Sequence, residues 1–80
     1  MSVWFINLKA GQKLYVKPHA DRIQLFEVQR GQGSATVGLH THPRVKKGDW
    51  IYVACHVRGE IQAGSGGLKL KSTDKIKSYF

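Results

Sequence analysis

Four histidines, one cysteine and five acidic residues are the groups through which this 80-residue chain could do acid–base, nucleophilic or metal chemistry. His40, Thr41 and His42 are consecutive. On a strand, residues two apart share a face, so both imidazoles could reach one metal ion, with His56 as the third candidate ligand. Pro43 sets the pair at a strand end or in a loop. Cys55 and His56 are neighbours, so on a strand they point to opposite faces and cannot serve as nucleophile and base. Cys55 reads as a small buried core residue. Asp21, Glu27, Asp49 and Glu60 fall in separate turns or strands, with no two placed as an acid/base dyad. Gly31-Gln32-Gly33 lacks the third glycine and the helix of a dinucleotide fingerprint. Gly64-Ser65-Gly66-Gly67 lacks the Lys-Ser/Thr of a phosphate loop. These readings lead to a protein without catalytic residues or a cofactor.

The cationic side chains are more numerous and more ordered. Thirteen Lys and Arg face five Asp and Glu, a formal charge of +8. Such a surface attracts polyanions: nucleic acid, an anionic membrane or an acidic protein face. Lys13 and Lys17 flank Tyr15 on one face of one strand. Lys69 and Lys71 take the outward face of another. Arg44, Lys46 and Lys47 cluster in a loop, and Lys75 and Lys77 interleave with Ile76, Tyr79 and Phe80 near the C-terminus. Cations beside outward aromatics can hold phosphates while stacking bases. A small nucleic-acid-binding barrel using Lys13, Tyr15, Lys17, Arg44, Lys46, Lys47, Lys69 and Lys71 is therefore one expected function. A second use of the surface is docking through an apolar patch of Trp4, Phe5, Trp50 and Tyr52.

The elements that must position these groups are short. Val3–Leu8 reads as a strand. Lys13–Lys17 alternates, with Leu14 and Val16 on one side. Arg22–Gln29 changes phase near Leu25-Phe26, and Ala35–Leu39 alternates again. Trp50–Val57 reads as a central strand, with Arg58-Gly59 turning into Glu60–Ala63. Leu68–Leu70 is the last strand. Arg30–Ser34 and Gly64–Gly67 read as turns. The expectation is one all-β domain over residues 1–71, an antiparallel sandwich or barrel of about seven short strands. Residues 72–80 form a basic tail, one or two helical turns or unstructured. An apolar fraction of 41% suffices for a core, but a domain this small gains from forming a homo-oligomer. A single cysteine excludes an internal disulfide. The N-terminus lacks the signature of a signal peptide, and no apolar run nears the ~20 residues that span a bilayer.

Two resemblances extend this reading. Gly48-Asp49-Trp50-Ile51-Tyr52-Val53 followed by His56, with His40-x-His42 ahead of it, resembles the cupin pattern, which joins a His-x-His pair to a later His. It implies a metal-binding cupin-like protein using His40, His42 and His56. The sequence departs from that pattern: no Glu follows His42 at short spacing, and the gap to His56 is short. Separately, Leu8-Lys9-Ala10-Gly11-Gln12-Lys13-Leu14-Tyr15-Val16 resembles the opening hairpin of small β modules in tailed-phage virion proteins. Trp50–Gly59 is similar to the strand and turn that close them. This likeness, over residues 6–63, implies a non-catalytic virion accessory protein (head decoration, head–tail or fibre base). It would be an oligomer docked on an acidic viral shell, found in the virion or the host cytoplasm.

Overall fold

The computed structural model describes residues 2–76; Lys77, Tyr79 and Phe80 of the expected basic tail lie outside them, as do the side chains of Lys75 and Ile76. Six antiparallel strands are present: β1 (Ser2–Leu8), β2 (Lys13–Val16), β3 (Arg22–Val37), β4 (His40–Lys46), β5 (Trp50–Val53) and β6 (Gly59–Ile76). The all-β expectation holds, and the described residues contain no helix.

The spine is the pairing of the two long strands, from Arg22 opposite Ile76 to Val37 opposite Gly59. The other four strands attach to its two edges. β1 pairs with residues 68–74 of β6, and β2 with residues 59–62. On the other edge, β5 pairs with residues 24–27 of β3, and β4 with residues 32–37. Two half-sheets result: β1–β6–β3–β5 and β2–β6–β3–β4.

The spine folds where glycines face glycines. The β3–β6 register shifts between Val28 and Arg30 and again between Gly31 and Gly33. Gly31 and Gly67 both take positive φ, which glycine adopts without steric cost. A Cβ on Gly33 would collide with the Gln62 carbonyl, and one on Gly31 with that of Gly67. Segments expected as two turns are thus one fold line through two continuous strands. The two mergers reduce the seven expected strands to five, and β4, whose Arg44 and Lys46 were expected in a loop, is the sixth.

Folding lays the half-sheets over a shared core. Phe26, Val28, Leu68, Leu70, Ile51 and Val53 from one meet Val16, Ala35, Val45, Ile61 and Ala63 from the other. Period-two alternation sets the inward positions. Trp50 and Tyr52 stay exposed while Ile51 and Val53 are buried. β5 is an edge strand, bonded only to β3, and ends at Val53. Ala54 to Arg58 form a turn, in which His56 has φ +64. Cys55 sits there half-buried, outside the core. Ser72 to Ile76, expected in a tail, continue β6.

Candidate functional site

The two half-sheets part at a mouth of about 250 Å³. Its walls are Trp4 and Ile6 of β1, Leu14 and Val16 of β2, and Phe26 of β3. Polar groups enter from three places: Lys17 and His19 after β2, Gln24 of β3 and Ser72 of β6. Trp4 reaches the mouth because it shares a register row with Ser72, while Phe5 faces the opposite side of the sheet.

Ser72 is wholly buried, and its Oγ has no hydrogen-bond partner among the described protein groups. A buried hydroxyl left unpaired costs about 1–3 kcal/mol, so such groups are rare and commonly functional. Its neighbour Asp74 is committed. Its Oδ1 accepts from Gln24 Nε2 at 3.2 Å, and its Oδ2 lies 3.5 Å from the Arg22 guanidinium. The His56 amide donates to the His19 carbonyl at 2.6 Å, which ties the β5–β6 turn to the loop carrying His19. One wall is therefore apolar, and the polar groups are an imidazole, an ammonium, an amide and a hydroxyl. That donor set suits an anion rather than a metal cation.

Of the histidines proposed as metal ligands, His40 and His42 line one cleft, but His56 is not brought to them. His40 and His42 lie on exposed edge strand β4, whereas His56 is in the turn beyond β5. No three His, Cys, Asp or Glu side chains among the described residues could hold a metal ion. His40, His42 and His56 do not fit the metal implied by the cupin pattern.

The cationic residues fall into three regions. Lys13 pairs with Glu60 at 3.5 Å across β2 and β6. Tyr15, two residues further on, is exposed and lines the mouth together with Lys17. On the outer face of the other half-sheet, Lys69 lies 5.5 Å from the centre of the Phe5 ring, and Lys71 pairs in register with Phe5. Lys46 and Lys47 flank the β4–β5 turn, while Arg44 lines a separate cleft with Trp50 and Tyr52.

His19, Gln24 and Ser72 were not singled out from sequence. The signal for Ser72 is parity: Leu68, Leu70, Ser72 and Asp74 continue one inward row, which is visible once the strand runs past Lys71.

No protein-family model matches this sequence, and no curated protein does. Solved structures share its fold. The cupin domain of Schizosaccharomyces pombe Cnp3 superposes with a TM-score of 0.83 at 23% identity, over 94% of this chain and 55% of that one. KdgF from Halomonas sp. gives 0.81 at 13% identity, covering 96% of this chain and 68% of that one. A predicted oxalate decarboxylase from Thermotoga maritima gives 0.79 at 14% identity, covering 92% and 64%. The chain spans little more than half the length of the Cnp3 domain.

The fold is cupin-like. Neighbours of this fold include one titled a predicted oxalate decarboxylase and others titled only as a cupin domain or a cupin protein. The virion reading is overturned: the structures that share the architecture are cupin proteins, so the chain is not placed among head-decoration, head–tail or fibre-base modules. The hairpin and turn spacing behind that resemblance encode pleat and turn, which many β folds share; the pairing order distinguishes them.

Proposed function

We propose that this chain is a non-catalytic binding domain that takes a small organic acid with an apolar body into the mouth between its half-sheets. The observation that carries the reading is the buried, unpartnered Ser72 hydroxyl behind apolar walls, with Lys17 and His19 at the rim. Sites for small molecules combine a mostly apolar lining with a few convergent polar groups. The apolar body packs on Trp4, Ile6, Leu14 and Phe26; the carboxylate meets the Lys17 ammonium and the Ser72 hydroxyl. A binding rather than catalytic role is supported by Asp74, whose carboxylate is held by Arg22 and Gln24.

Thermal unfolding of the full chain with a panel of small aliphatic and aromatic carboxylic acids tests this. A ligand that binds only the folded state raises the midpoint with concentration. We expect a saturable rise for some acids, none for the matching amides, and its loss in Lys17→Ala. Equal shifts for acids and amides, or no shift for any acid at millimolar concentration, would overturn the reading.

A second reading, self-association, has its own support. Val3 and Phe5 are 49% and 57% exposed on the outer face of the first half-sheet, with half-buried Leu25 and Ile23 across β6 from them. A two-fold pairing there would cover apolar surface that the small core leaves in water.

A further inference from the structure

We infer that the cleft between β4 and β5 binds a nucleoside phosphate. This cleft, about 550 Å³, opens on the side of the sandwich away from β1 and β2, and shares no lining residue with the mouth. Trp50 and Tyr52 supply its aromatic surface, Arg44 a guanidinium, His40 and His42 imidazoles, and Asp49 a carboxylate.

The backbone explains why these groups meet. β5 is an edge strand, and its alternation sends Ile51 and Val53 into the core. Trp50 and Tyr52 therefore stay 58% and 53% exposed. Two large aromatics held on a rigid strand in contact with water suit stacking on a planar ring. Arg44 is set by a bulge. Gly33 pairs with Val45 and Ala35 with His42, so Pro43 and Arg44 together face the single residue Ser34. An extra residue of this kind re-aims a side chain, and Pro43 fits there because a bulge does not need its missing amide. Among the described residues, no carboxylate lies within ion-pair distance of Arg44.

Asp49 is only half committed: its Oδ2 accepts from the Lys46 amide at 2.9 Å, fixing the turn, and Oδ1 is left for a sugar hydroxyl. The planar guanidinium fork matches phosphate oxygens two at a time, and the imidazoles of His40 and His42 add donors. A net charge of +8 draws such an anion toward the surface. An aromatic platform, a guanidinium and a free carboxylate oxygen thus correspond to base, phosphate and ribose. The same chemistry occurs in a free nucleotide and at the phosphorylated end of a single strand.

Calorimetric titration of the full chain tests this, using AMP, adenosine, inorganic phosphate and a short oligoriboadenylate with and without a 5′-phosphate. The expected result is one saturable AMP site, at least about tenfold tighter than for adenosine or phosphate alone, as expected for a charge-assisted contact. Arg44→Ala and Tyr52→Ala each weaken it about tenfold; both side chains are exposed, and far-ultraviolet circular dichroism confirms that the variants fold. An oligonucleotide that binds like AMP only when phosphorylated assigns the site to strand ends; one that does not bind assigns it to free nucleotide. Adenosine as tight as AMP, oligonucleotide binding indifferent to the terminal phosphate, or folded variants that bind AMP like the parent chain would each overturn the inference.

Discussion

A hydroxyl at Ser72 is the residue on which the ligand reading turns. Were that site purely structural, an apolar or smaller side chain would serve as well, because a buried polar group without a partner opposes folding. Ser72→Ala is expected to leave the unliganded protein equally stable or up to about 1 kcal/mol more stable in urea unfolding, while abolishing the acid-dependent rise in midpoint. A variant that loses stability but keeps the ligand response would make Ser72 a packing residue. Asp74 plays the opposite part. Asp74→Asn removes the charge that faces Arg22 and is expected to cost about 1–3 kcal/mol, read in the same unfolding experiment.

Glycine at the fold line decides the element scale. Gly33 lies where a Cβ would strike a neighbouring carbonyl, whereas the space around Gly66 is open. Gly33→Ala should therefore cost at least about 2 kcal/mol and Gly66→Ala less than about 0.5 kcal/mol, measured by chemical unfolding. Equal costs would mean the spine does not need its glycines. Ile61, wholly buried near the start of β6, should cost about 2–5 kcal/mol as Ile61→Ala.

The same glycines mark the limit of what was legible in the sequence. Alternation at Leu14-Val16, Ile51-Val53 and Leu68-Leu70 gave the inward faces, because side-chain parity is local. Arg30–Ser34 and Gly64–Gly67 looked like two turns; only their pairing across the spine shows each to be the bend of a long strand, and pairing is not local. Trp50 to Val57 looked central because both faces are apolar, yet Trp50 and Tyr52 are exposed on an edge. At the site, Lys17 is named for its charge. His19, Gln24 and Ser72 are not, since four strands and a loop have to close before they share a mouth.

As a whole, the molecule presents two concavities that share no lining residue, and an outer face on which Val3 and Phe5 share the surface with Lys69 and Lys71. A homodimer through Val3 and Phe5 predicts twice the monomer mass in sedimentation at micromolar concentration, and monomer for Phe5→Lys, since a buried unpaired charge is costly. A parent chain that is monomeric at that concentration would remove the pairing.

The ligand-binding mouth is tested most directly by nuclear magnetic resonance of the isotopically labelled full chain, titrated with a carboxylic acid from the thermal panel. Amide shifts confined to Lys17, His19, Gln24, Phe26 and Ser72, saturating together and absent in Ser72→Ala, are the predicted outcome. Shifts scattered over the surface, or none in that group at saturating acid, would contradict it.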